Sequence, residues 1–269
     1  MAPGPVERLS AEMFFRPMRA RREAVMPAVH GRPVTRFTVA SGEYELAAWS
    51  WGEGPTVLLV HGWEGRAKQL LPFVAPLLAE GFRVVTFDQP AHGGSTGRRV
   101  TVLDMASAAR DVARDVAPLI GLPTGLHGVV AHSLGGTATA LALHQGLSAK
   151  RVVLLAPAAE PSHFARRAAS ELGLSAPLSD GMLRRVLAQL GSDLAAIDVR
   201  SLAPSFDVPA LVMHDPEDRD VPWEHGRGIA EAWPGARLAP LHGLGHRRLL
   251  ADAEVHRRTA RFLTAIDDA

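Results

Sequence analysis

The stretch Gly128-Val129-Val130-Ala131-His132-Ser133-Leu134-Gly135-Gly136-Thr137-Ala138-Thr139-Ala140-Leu141-Ala142-Leu143 decides how this chain is read. A short apolar run from Gly128 to Ala131 meets a serine, and a helical run opens at Thr137. A serine between a buried strand and a helix must sit on a sharp turn. The residues two before and two after it then have to be small, here Ala131 and Gly135. Such a serine stands at the C-terminal edge of a sheet, with a helix N-terminus below it. There the backbone N–H of the next residue meets developing negative charge.

The small-x-Ser-x-Gly pattern alone does not single out Ser133. Ala48-Trp49-Ser50-Trp51-Gly52 and Gly93-Gly94-Ser95-Thr96-Gly97 match it as well. Ser50 runs into the turn Gly52-Glu53-Gly54-Pro55, and Ser95 lies in a loop with no helical run directly behind it. Only Ser133 has a strand before it and a helix after it, and that context makes it the candidate nucleophile.

Working outward, short apolar runs alternate with helical patterns. Arg36 to Ala40 and Tyr44 to Trp51 read as a hairpin joined at Gly42. Thr56 to Val60, Phe82 to Phe87, Leu126 to Ala131, Arg151 to Leu155, Ala210 to His214 and Arg237 to Leu241 read as strands. Helices are expected over Gln69 to Glu80, Val102 to Leu119, Gly135 to Gln145, Glu224 to Trp233 and Ala253 to Ile266. Alternating strands and helices imply a parallel sheet covered on both faces. The segment 159–207 interrupts the alternation and reads as helical, with Met182, Leu183, Val186, Leu187 and Leu190 on one face. It is too long for an ordinary loop and suggests a small helical cap. The expected division is a lead-in at 1–33, a core at 34–158, the cap at 159–207 and the rest of the core at 208–269.

Composition limits the alternatives. The 269 residues are 47% hydrophobic and 21% charged, which is ordinary for a globular chain able to bury a core. Lys and Arg number 29 against 28 Asp and Glu, so there is no electrostatic footprint for nucleic acid or an anionic membrane. The absence of cysteine excludes a disulfide scaffold, a thiolate metal site and a Cys nucleophile. The first residues lack the apolar core of a secretory signal, which makes cytoplasm the default expectation. Arg8, Arg16, Arg19, Arg21, Arg22 and Arg32 make the lead-in basic, and it is expected to pack on the surface. Val116 to Ala149 carries no Asp, Glu, Lys or Arg, yet Pro118, Pro123 and its glycines break it, so no stable membrane insertion is expected.

Four features together resemble the α/β-hydrolase superfamily from about residue 34 onward. They are His61-Gly62-Trp63 after a strand, Asp88-Gln89-Pro90-Ala91-His92-Gly93-Gly94-Ser95, the elbow at Ser133, and a late acid followed by a late histidine. The resemblance implies an eight-stranded, mostly parallel sheet with helices on both faces and a cap at this place in the chain. It places the acid of a Ser–Asp–His triad at Asp218 in His214-Asp215-Pro216-Glu217-Asp218-Arg219-Asp220-Val221-Pro222. Asp215 stands where the family usually has Gly, and Asp215 and Asp220 read as capping or loop residues. The histidine falls at His246, which follows Gly245, with His242 as its rival. The oxyanion hole is expected from the N–H groups of Trp63 and Leu134, and His61 is expected to brace its loop.

The implied activity is that of a serine hydrolase cleaving carboxylic esters through an acyl-enzyme. Thioesters, amides and carbon–carbon bonds remain open to the same triad, and a non-catalytic ligand binder of this fold is the alternative of another class. Trp63, His132, Phe164, Met182 and Val186 are expected to contact an apolar substrate of short to medium acyl length, with Leu172, Leu174 and Leu190 as further cap candidates. The partner is a small-molecule ester. No metal or other cofactor is called for, because there is no HExxH, no Cys cluster and no P-loop.

Overall fold

The computed structural model describes residues 3–18, 25–116, 125–191 and 195–265. Its centre is one eight-stranded sheet. The strands are β1 (Val34–Ser41), β2 (Tyr44–Trp51), β3 (Thr56–Val60), β4 (Arg83–Phe87), β5 (Leu126–His132), β6 (Ala149–Leu155), β7 (Ala210–His214) and β8 (Ala236–Pro240). Their spatial order is β1-β2-β4-β3-β5-β6-β7-β8. Strands β1, β2 and β4 pair antiparallel, and every later pair is parallel. The sheet is therefore eight-stranded and mostly parallel, the α/β-hydrolase architecture expected from the motifs.

The helices are α1 (Pro3–Phe14), α2 (Val74–Ala79), α3 (Val102–Val116), α4 (Leu134–His144), α5 (Pro161–Glu171), α6 (Ala176–Leu190), α7 (Val199–Leu202), α8 (Trp223–Ala232), α9 (Gly245–Arg248) and α10 (Ala253–Thr264). Side chains alternate across each strand, so β3 and β5 feed two cores. Leu58, Val60 and Val129 face a cluster with Met105, Val112, Ala138, Leu141 and Ile229. Val57, Leu59 and Val130 face a second cluster with Phe73, Leu77, Val255 and Leu263. Burial on both faces explains why the central strands are unbroken apolar runs rather than alternating ones.

Two stretches differ from the sequence reading. The helix expected over Gln69 to Glu80 is a 3-10 segment, Ala67–Phe73, followed by α2. Pro72 lies inside the first part and removes a backbone donor, which disrupts a continuous α-helix. The lead-in does more than lie on the surface. Residues 3–14 form α1, which packs on α6, and Ala11 and Phe15 are buried at its inner face. The approach is close: Glu7 pairs with Arg185 at 3.3 Å, and a Cβ on Gly181 would collide with the Glu7 carboxylate. Arg19, Arg21 and Arg22, the far end expected for the third helix at Leu119, and Ile266 lie outside the described residues. Among the described residues, no helix is long and apolar enough to cross a membrane.

The parallel strands β3, β5, β6, β7 and β8 all end at one edge of the sheet. The loops leaving β3, β5, β7 and β8 therefore meet there, which is where open α/β sheets place their sites.

Candidate active site

Ser133 occupies the turn from β5 to α4 with φ 55° and ψ −126°, left-handed backbone that a non-glycine residue adopts only under strain. The surroundings hold it there. Its N–H donates to Leu155 O at 3.0 Å, and its carbonyl accepts Gly136 N–H at 2.9 Å. Gly135 is required by close approach, since a Cβ there would lie 2.7 Å from His61 O and 2.8 Å from Val60 O.

Three loops complete the arrangement. His246 Nδ1 lies 2.8 Å from Asp218 Oδ2, and its Nε2 lies 3.0 Å from Ser133 Oγ. A carboxylate only accepts, so Nδ1 carries the proton and Nε2 is left to accept the Ser133 hydroxyl. Asp218 is set by its own loop: Oδ1 accepts the N–H of Asp220 at 2.8 Å and of Val221 at 3.0 Å. His214 Nε2–H donates to Val221 O at 3.0 Å and lies 3.4 Å from Asp218 Oδ2. Burial pushes the Asp218 carboxyl up, but hydrogen bonds from His214, His246 and the Val221 N–H outweigh it and hold the carboxyl well below the usual range. The group thus stays anionic beside the imidazole.

The turn carrying Trp63 passes over the elbow. Gly65 N–H closes it onto Gly62 O at 3.1 Å. A Cβ on Gly62 would lie 2.8 Å from Ser133 Cβ and 3.2 Å from Leu134 N. Leu134 opens α4, whose first N–H groups have no acceptor within the helix. His61 braces the turn, with Nδ1–H donating to Gly62 O at 2.8 Å and Nε2 accepting Gln89 N–H at 2.9 Å. Burial pushes its imidazole down to about 4, so it stays neutral. Trp63 itself is clamped between Phe14 (centroids 6.2 Å, planes 13° apart) and the edge of His92 at 5.5 Å. His132 donates from Nε2 to His246 O at 2.9 Å.

Ser133 and His246 open onto a cavity of about 500 Å³. Trp63, Leu134, His132, Phe164 and Leu190 line it. Met182 and Val186 do not. They are 0% and 1% exposed, in the core that also holds Ala11 and Phe15. α1 covers that face of α6, so the apolar stripe read as a pocket wall is buried in a helix–helix contact. Leu172 and Leu174 line a separate surface groove. The wall that sequence reasoning missed is Met13, Phe14, Phe15, Arg16 and Met18. The spacing Val6, Leu9, Ser10, Met13, Phe14 carries the helical signal that would have shown it. A charged rim completes the mouth, where Arg167 Nη1 bonds Asp220 O and pairs with its carboxylate, each at 3.0 Å.

The two decoy serines are fixed elsewhere. Ser95 is fully buried, donates to Asp88 O at 2.6 Å and accepts Ala47 N–H at 3.0 Å. Ser50 is buried in β2, facing Arg83.

Comparison with known proteins follows the same line. Residues 55–178 match the family described as the alpha/beta hydrolase fold. The chain is 27% identical over 246 residues to RutD of Variovorax paradoxus (strain S110), a protein named for carbamate hydrolysis, with 77% of this chain and 90% of that one covered. It is 26% identical over 270 residues to a non-heme haloperoxidase of Rhodococcus erythropolis, covering 81% and 95%. Among solved structures it resembles the Pyrococcus furiosus esterase Pf2001, with a TM-score of 0.68 at 20% identity, covering 91% of this chain and 98% of that one.

Proposed function

We infer that this chain, which has the α/β-hydrolase fold, is a serine hydrolase that cleaves carboxylic esters with apolar acyl groups of short to medium length. One observation carries the reading: Ser133 Oγ, His246 Nε2, His246 Nδ1 and Asp218 Oδ2 form an unbroken relay, 3.0 and 2.8 Å in its two steps, on the wall of a largely apolar cavity.

In this reading Ser133 Oγ attacks the ester carbonyl carbon while its proton passes to His246 Nε2. The carbonyl electron pair moves to oxygen, and the N–H groups of Trp63 and Leu134 hold the oxyanion, each contributing about 3 kcal/mol. The intermediate collapses, the C–O bond breaks, and His246 returns the proton to the departing alkoxide. A water then repeats the sequence on the acyl-enzyme and releases the acid. Asp218 keeps Nδ1 protonated and stabilises the imidazolium. The relative named for carbamate hydrolysis points to a smaller, more polar acyl group, but Phe14, Trp63, Leu134, Phe164 and Leu190 offer that group hydrocarbon.

The test is intact-mass measurement after treatment with a fluorophosphonate. One adduct on the wild type and none on Ser133→Ala is expected, together with turnover of a 4-nitrophenyl ester by the wild type alone. Adducts on both proteins, or none on either, would overturn the reading.

A further inference from the structure

We propose that the surface groove beside α1 is a second part of the substrate site, taking the distal end of a long unbranched acyl chain whose ester lies at Ser133. This rests on the ester-hydrolase reading and extends its acyl range to the upper end, chains of about twelve carbons.

The large apolar side chains most exposed among the described residues are Leu9, Met13, Met18, Val25 and Leu172. Leu9, Met13 and Leu172 are not scattered. With Val6, Pro5 and Leu174 they line one groove of about 560 Å³. Leu9 is 58% and Leu172 46% exposed, so two leucines face water across it.

The groove suits hydrocarbon. Ser10 lies in it, but its hydroxyl is spent on Val6 O at 2.8 Å. On the α1 side the backbone is helical, and on the other side the N–H groups of Leu172 and Leu174 are taken by Ala168 O and Ala169 O, each at 3.0 Å. A peptide would find no edge to pair with. Arg8 and Glu12 are its charged lining residues and offset one another.

The groove and the cavity share one lining residue, Met13. Its neighbour Phe14 stacks on Trp63, so one turn of α1 joins the wall beside Ser133 to the groove. Val6, Leu9 and Met13 fall on one helical stripe leading away from the cavity over roughly 10 Å. A methionine at the junction can change rotamer to let a chain pass. Acyl groups that fill the cavity end there, and longer ones continue along this stripe.

The test uses 4-nitrophenyl esters of C4, C8 and C12 acids below their critical micelle concentrations, on wild type, Leu9→Gln, Leu172→Gln and Val25→Gln. In the wild type, kcat/KM should rise from C8 to C12, by at most about fourfold per added methylene. Leu9→Gln and Leu172→Gln should each lower the C12/C8 ratio about tenfold. Val25→Gln, outside the groove, should leave the ratio unchanged. Equal ratios in all four proteins overturn the subsite, as does an equal fall in Val25→Gln. A C12 preference that emerges only above the critical micelle concentration, or only with phosphatidylglycerol vesicles, assigns the patch to a lipid surface and also overturns it. Ser133-dependent C4 hydrolysis without a C12 advantage removes the subsite alone. No hydrolysis at any length removes the ester-hydrolase reading and the subsite with it.

Discussion

The carboxylate of Asp215 accepts the backbone N–H of Gly245 at 2.6 Å, one residue before His246. The same oxygen accepts Leu244 N–H at 2.6 Å, and the other accepts Glu217 N–H at 2.8 Å. Asp215 thus ties the loop after β7 to the loop after β8. Burial pushes its carboxyl up, but the N–H groups of Gly245, Glu217 and Leu244 outweigh it and hold the carboxyl below its usual value. Asp215→Ala leaves those donors unpaired and frees the histidine loop. It should lower kcat about 10–100-fold and reduce thermal stability. Asp218→Asn should cost more, on the order of 10⁴ in kcat, by favouring the wrong tautomer of His246. Steady-state kinetics on both variants check the order, and its reversal would move the acid to Asp215.

Ser95 and Ser133 match one sequence pattern but should respond oppositely. Ser95→Ala loses the hydrogen bonds to Asp88 O and from Ala47 N–H, at a cost of about 1–3 kcal/mol, with kcat retained in the folded protein. Ser133→Ala should lower kcat by on the order of 10⁴-fold or more while the thermal midpoint stays near wild type. Calorimetry alongside kinetics separates the two.

Gly135→Ala places a methyl against the carbonyls of Val60 and His61, which are backbone and cannot step aside cheaply. A loss of about 1–3 kcal/mol is expected, with a fall in kcat as the elbow shifts against the Trp63 turn. Urea titration and an ester assay on the same preparation test both halves.

Phe14→Ala removes the ring stacked on Trp63 and opens one side of the cavity. KM for a C8 ester should rise about tenfold or more, with a smaller change in kcat, because the ring lines the cavity and stands apart from the Ser133–His246–Asp218 relay. A C2 ester should be less affected. Equal effects at both lengths would place the role of Phe14 in holding Trp63 instead.

Acid should destabilise the protein before Asp218 titrates. Burial pushes His61 and His225 down to about 4 and His92 and His132 to about 3, from an ordinary value of 6.5. Below pH 6.5 the unfolded chain binds protons that the fold refuses. The contribution is therefore complete above that pH and is lost as pH falls toward 4. Asp218, whose carboxyl is held down, adds its own loss only below the ordinary carboxylate range near 3.8. The thermal midpoint should fall steeply between pH 6.5 and 4.5. A flat profile there would contradict the neutral burial of these rings.

Much of this was legible in local sequence, and the failures were specific. Strands β3 and β7 lie where the apolar runs Thr56 to Val60 and Ala210 to His214 placed them, because a strand buried on both faces leaves an uninterrupted hydrophobic signature. The serine turn was legible because Ala131 and Gly135 answer a steric demand made within a few residues. Met182 and Val186 show the limit. Their stripe announced burial, but burial against α1 and burial against a ligand leave the same pattern in sequence. Asp215 shows it again, since nothing local says that a residue after β7 will accept N–H groups some thirty positions on.

The sequence by itself determined the order of strands and helices, the strained turn at Ser133 and which loops lie at its edge of the sheet, because these follow from period, size and short-range sterics. Only the tertiary structure decided that α1 would wall the cavity, that His246 rather than His242 would stand 3.0 Å from Ser133, and that the apolar stripe of α6 would be spent on a neighbouring helix. Those outcomes depend on contacts between segments more than a hundred residues apart, where the choice of partner is made by packing and geometry that no local pattern encodes.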